Sequence, residues 1–159
     1  MGKMAEKSVT SYAPGPTERQ RWMAVLSRTT AAEISAILEA HGGLPEHTVL
    51  KDAKVGTVMI EGRAGGTGQR FNLGEATTTR CVVRLRDGIL GVSYALGSDR
   101  RKALLAALLD GRLQQSGPNH ALMACVSALA SRQHAARQCA SRKAASTKVD
   151  FFTLARGDE

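Results

Sequence analysis

A chain of 159 residues is long enough for one domain around a single hydrophobic core. At 43% hydrophobic residues it is too apolar for a disordered chain, yet only 4% are aromatic, so Ala, Leu and Val form a thin core that burial against another chain would extend. The net charge of +8 is lopsided, with nine Lys or Arg and two acids between Asp99 and Val149, which suits an anionic substrate, nucleic acid, an acidic partner or simply a solvated helix face.

Residues 1–16 are polar, include Pro14, Gly15 and Pro16, and are read as a flexible tail ahead of a single α+β domain at 17–159. Thr17 and Gln20 have capping-box spacing and open a first helix carrying Trp22, Met23 and Leu26 on one stripe. Thr30 and Glu33 repeat the spacing before Ile34, Ile37 and Leu38, and Gly42-Gly43 ends that second helix. The two make a helical hairpin.

An antiparallel β-meander of three to four strands follows, with strands expected at 47–52 and 56–63. Next comes a glycine-rich stretch, RAGGTGQRFNLG over 63–74. Its glycines allow close approach of another molecule to the backbone, and Arg63 and Arg70 bracket them, with the Thr67 hydroxyl between. Exposed amides beside two guanidinium groups suit a phosphate-like anion. The plain alternative is a long hairpin connection whose glycines only make turns. With no lysine in the motif and no helix after it, this is not a P-loop.

Asp87-Gly88 marks a hairpin. A two-residue turn there pairs Leu85 with Leu90, Val83 with Val92 and Cys81 with Tyr94 on a core face. Arg80, Val82, Arg84 and Arg86 then lie on a basic, partly open face. Ser98 or Asp99 caps a third helix that carries Ala103, Leu104, Ala107 and Leu108 and is expected to stop near Gly111. Asn119 caps a last, long helix with Leu122, Cys125, Val126 and Leu129 apolar, which turns into Ala, Arg, Gln and Ser beyond Ala130. An extended tail closes the chain. Its Phe151 and Phe152 either tuck back onto the sheet or anchor into another subunit.

No Ser-His-Asp or paired-carboxylate spacing occurs, so catalytic residues stay unassigned, and the four histidines lack metal-pair spacing. Cys81, Cys125 and Cys139 include no CxxC pair, which points to neither a disulfide framework nor a zinc site. No apolar run approaches the roughly 20 residues of a membrane span, and the start lacks a signal-peptide core; a cytoplasmic setting is the expectation.

The loop (63–71), GEAT (74–77) with Thr79 and Arg80, and VDFFT (149–153) with RGD (156–158) together resemble the G subunit of the bacterial carbon–phosphorus lyase core complex. The RWM of 21–23 and the hairpin around Asp87-Gly88 fit as well. The resemblance spans about 17–158 and implies a non-autonomous subunit of a phosphonate-degrading enzyme, whose partners are the H, I and J subunits and the ATP-binding-cassette-type K and L subunits. It implies a share, with the H, I and L subunits, in replacing the adenine of ATP by methylphosphonate to give ribose 1-methylphosphonate 5-triphosphate. No cofactor is then expected on this chain. ATP is a substrate of the complex, and a metal ion and an iron–sulfur cluster belong to partner subunits. Arg63, Gly65, Gly66, Thr67, Gly68, Arg70 and Arg80 become candidate substrate, phosphate or subunit-junction residues, and Asp150, Phe151, Phe152 and Arg156 candidate interface residues. The competing reading is a basic nucleic-acid-binding module. Against it, the basic face lacks stacking aromatics and no recognition helix or RNA-binding motif occurs.

Overall fold

The computed structural model describes residues 16–64, 68–115 and 121–147. In chain order the elements are α1 (Pro16–Leu26), α2 (Ala31–Ala40), β1 (His47–Arg63), β2 (Arg70–Leu85), β3 (Leu90–Leu96), α3 (Arg100–Gln115) and α4 (Ala121–Ser146). The α+β arrangement is the expected one: a helical hairpin, a three-stranded antiparallel meander in the order β1-β2-β3, and two helices. The tail lies outside the described residues.

Local chemistry explains most helix ends. In α2 the Thr30 hydroxyl accepts from the Glu33 N–H at 3.3 Å, and the Glu33 carboxylate accepts from the Thr30 N–H at 3.0 Å, which is the capping box in full. The Gly43 N–H returns to the Leu38 carbonyl at 2.8 Å and closes the other end. The first helix differs from the expectation. It already includes Pro16, so Thr17 lies inside the helix and is not its cap; a proline in the first turn forfeits no intrahelical bond. Asp99 caps α3 by accepting from the Lys102 N–H at 2.9 Å.

That third helix runs past Gly111 to Gln115, four residues beyond the stop expected from sequence. Gly111 is a packing notch instead: a Cβ there would sit 2.8 Å from Leu85 Cδ1. Nearly every residue from Ala103 to Leu113 is buried, because the helix lies between the sheet on one side and α1 and α2 on the other. Trp22, Leu26, Ile34, Leu38, Val83 and Leu85 complete the core around it.

The sheet holds two corrections. The segments expected as separate strands run together as the 17-residue β1, whose register against β2 shifts between Val49 and Lys51 and again between Lys51 and Lys54. The β2–β3 hairpin is also one residue out of the two-residue-turn register. Arg84 pairs with Leu90, Val82 with Val92 and Arg80 with Tyr94, while Cys81 faces Ser93 and Val83 faces Gly91. The turn has three residues: the Leu85 N–H donates to Ile89 O, Asp87 accepts from the Ile89 N–H, and Gly88 takes φ +88°, which an L side chain would resist. The core face of β3 is therefore Gly91, Ser93 and Ala95, the small residues, because α3 crosses directly over them. A Cβ on Gly91 would overlap the Ala107 carbonyl oxygen. Arg80 and Arg84 are exposed on the other face, as the sequence implied.

Since β3 pairs only with Thr78–Arg84 of β2, the outer parts of β1 and β2 continue alone as a two-stranded ribbon. It runs for seven residues of β1, about 23 Å, from Thr57 opposite Thr77 to Arg63 opposite Arg70.

Candidate functional site

Four of the seven candidate residues lie among the described residues, and they fall in two places. Arg63, Gly68 and Arg70 meet at the ribbon tip; Gly65, Gly66 and Thr67 lie outside the described residues. Arg63 Nη1 donates to Gly68 O at 3.3 Å and the Gly68 N–H to Ala64 O at 2.9 Å. The strand resumes at Arg70, so the loop is shorter than the 63–74 stretch the glycines suggested. Arg70 faces Glu61 at 3.7 Å, with the two side chains 69% and 58% exposed. Such a pair contributes about 0–1 kcal/mol and leaves the guanidinium available.

Cross-strand partners share a face, and alternate residues along a strand do too except across a bulge, here the register shift between Ile60 and Glu61 that changes the parity of β2. One face of the ribbon thus carries Val58, Ile60 and Gly62 with their partners Ala76, Gly74 and Phe71. Leu73 joins it, lying 3.5 Å from where a Gly62 Cβ would be. The other face carries Met59, Glu61 and Arg63 opposite Glu75, Asn72 and Arg70. The ribbon is apolar on one side and, Met59 apart, polar on the other, and its apolar side chains stay exposed.

Arg80 lies ten residues along β2 from Arg70, about 30 Å away, in a different setting. The register of β1 shifts twice between Val49 and Lys54, and residues 50–54 there line a basin of about 720 Å³. Lys54, Arg80 and Tyr94 form one row across the three strands; Lys51, Val82 and Val92 form the next. Arg100, at the start of α3, adds a fourth cation, and Asp52 is the one acid lining the basin. Cys81 donates to Lys51 O at 3.5 Å beneath it. Burial, and secondarily the Asp52 charge, pushes the Cys81 thiol above its ordinary range, so it stays protonated and unreactive.

Reactive constellations do not form among the described residues. No three His, Cys, Asp or Glu side chains come together in a way that would hold a metal ion. The ring nitrogens of His41 and His47 bond to the Ile37 and Pro45 carbonyls, and that of His134 to Gln138. Asp150, Phe151, Phe152 and Arg156 lie outside the described residues.

The residue that sequence reading passed over is Asp110. It is fully buried in α3, and Trp22 Nε1 (2.8 Å), Arg19 Nη2 (2.7 Å), the Val92 N–H (2.8 Å) and Gln114 Nε2 (3.2 Å) all donate to its carboxylate. This hub ties α1, α3 and the outer edge of β3 together. Leu90 O accepts there from Gln114 and Arg19, and the Leu96 N–H donates to Ser27 O, so the β3 edge is covered. An acid inside the apolar run LLAALLDGRL was the signal.

Two comparisons bear on what this arrangement serves. The model of the family described as phosphonate metabolism protein PhnG matches residues 17–157. Alpha-D-ribose 1-methylphosphonate 5-triphosphate synthase subunit PhnG of Rhizobium meliloti (strain 1021) is 36% identical over 156 residues, spanning 98% of this chain and 100% of that relative.

Proposed function

The chain belongs to the PhnG family of phosphonate metabolism proteins, and from that premise we infer that it is a non-autonomous subunit of an alpha-D-ribose 1-methylphosphonate 5-triphosphate synthase. With partner subunits it serves the transfer of the ribose triphosphate moiety of ATP to methylphosphonate, releasing adenine. The observation that carries this is the end-to-end likeness to a relative bearing that name.

The finer reading concerns how it docks. Its partners are the H, I and J subunits, with the K and L subunits associating, and any metal ion or iron–sulfur cluster is held by those chains. The assembly works in the cytoplasm, and no described helix is long and apolar enough to cross a membrane. The ribbon is the docking element. An isolated two-stranded ribbon is marginal in water, and one presenting Val58, Ile60, Phe71 and Leu73 gains its order by laying that face on another subunit. Arg63 and Arg70 then stand at the subunit junction. Reconstitution tests the reading: adenine release from ATP in the presence of methylphosphonate should require this chain together with the partner subunits, and all should co-elute. Full activity without the chain, or turnover by the chain alone, would refute it.

A further inference from the structure

We propose that the basin formed by Lys51, Lys54, Arg80 and Arg100 is a binding site on this chain for a linear oligophosphate group. This goes beyond membership of the assembly, because it assigns a ligand to the subunit itself. Four described cations, Arg19, Arg70, Arg86 and Arg132, each find a carboxylate, while others on the surface, Arg84 and Arg101 among them, are in no ion pair. Among the described residues none of the four basin cations has an ion-pair partner, although Asp52 lines the same basin.

The register makes the imbalance costly. Lys54 and Arg80 are direct cross-strand partners, and like charges placed opposite one another destabilise a sheet. An anion seated between them reverses the sign of that interaction. Four cations against one acid leave room for about three or four negative charges, the load of a triphosphate rather than of one phosphate. The basin volume falls within the roughly 300–1,000 Å³ of small-molecule sites. Val82, Val92 and the half-exposed Tyr94 ring give it an apolar floor against which the rest of a phosphorylated molecule can lie. The protonated Cys81 and the Ser93 hydroxyl, which is donated to Ala103 O, offer no nucleophile. The site is therefore built to hold its ligand, with no covalent step.

The test uses the full chain alone, so its failure leaves the subunit reading standing. Inorganic tripolyphosphate, ATP and orthophosphate are titrated by calorimetry at low and physiological ionic strength. Tripolyphosphate should bind at one site and far more tightly than orthophosphate; ATP binding tighter still would identify a nucleotide as the source of the phosphates. Lys54→Ala and Arg80→Ala should each weaken tripolyphosphate by about tenfold, the worth of one charge-assisted hydrogen bond. Arg84→Ala, on the same face outside the basin, should leave it unchanged. Amide shifts on the unsubstituted chain should map to 51–54, 80–82, 92–94 and Arg100. Shifts confined to the ribbon tip, equal losses for Arg84→Ala and Arg80→Ala, or a poly-glutamate peptide binding as tightly as tripolyphosphate would each overturn the assignment.

Discussion

If the ribbon docks through its apolar face, substituting that face should separate assembly from folding. The double variant Ile60→Thr, Phe71→Thr keeps β-branched strand residues at both positions but removes most of the apolar surface. In the isolated chain Val58, Ile60, Phe71 and Leu73 are 39%, 41%, 47% and 64% exposed, so about half of each remains to be buried by a partner. Full burial of such a side chain is worth about 1.5–3 kcal/mol, so the four offer roughly 4 kcal/mol and the substituted pair about 2 kcal/mol. That corresponds to an affinity loss of about 30-fold. Analytical ultracentrifugation or surface-immobilised titration against the co-expressed partner subunits reads the loss, and circular dichroism with thermal melting of the free chain is the control. Neither residue belongs to the core around α3, so the free chain should melt within a few degrees of the parent. A complex that assembles with undiminished affinity would refute the docking role of this face.

Three further outcomes follow from the described contacts. Asp110→Asn should cost about 3 kcal/mol by urea denaturation, because donors reach both carboxylate oxygens and an amide NH₂ opposes some of them whichever way it turns; a loss under about 1 kcal/mol would remove the hub from the argument. Gly91→Ala should destabilise by more than about 2 kcal/mol, since the new methyl meets the Ala107 carbonyl and α3 must lift from the sheet; near-neutral behaviour in a melt would show that the helix sits farther away. Hydrogen bonds from the Thr30 N–H and hydroxyl, aided by Arg132 and opposed by burial, hold the Glu33 carboxyl below its ordinary range. Its folded value being the lower one, its contribution is complete above the unfolded pKa and is lost as pH falls through the folded one; with solvent screening this partly exposed carboxyl, Glu33→Gln should cost no more than about 0.5 kcal/mol at pH 7 and nothing in strong acid.

Features set by short-range chemistry were legible in the sequence. The Thr30/Glu33 box, the Asp99 cap and the existence of a hairpin at Asp87-Gly88 are local events within three or four residues. The length of that hairpin turn was not, because Asp-Gly serves two- and three-residue loops alike, and the choice falls to what packs on the strands. Apolar size suggested that Leu90, Val92 and Tyr94 face the core. The approach of α3 instead selects Gly91, Ser93 and Ala95, a tertiary preference invisible in strand periodicity. Gly111 misled for the same reason: a glycine that ends helices elsewhere makes room here for Leu85. Within the candidate site, the sequence grouped Arg63, Arg70 and Arg80 together, whereas the strand register sets Arg80 apart from the other two. The run of paired residues from Arg70 to Arg80 sets them at two places, and the basin lies beside register shifts that no motif announces.

These two places share one physical origin. The core rests on small and aliphatic residues with a single tryptophan, and α3 packs on one face of the three-stranded part of the sheet. What remains of the sheet cannot be covered by this chain's described helices, so its open face keeps its charges and its ribbon keeps its exposed apolar side. Covering that ribbon with the chain's own residues would stabilise the free subunit and remove the surface a partner needs. Hydrogen exchange should therefore divide the chain: slow at Cys81, Val83 and through α3, and fast along 57–63 and 70–77 until partner subunits are added. Protection of the ribbon in the free chain equal to that of α3 would mean that the ribbon needs no partner, and the case for docking through it would fall.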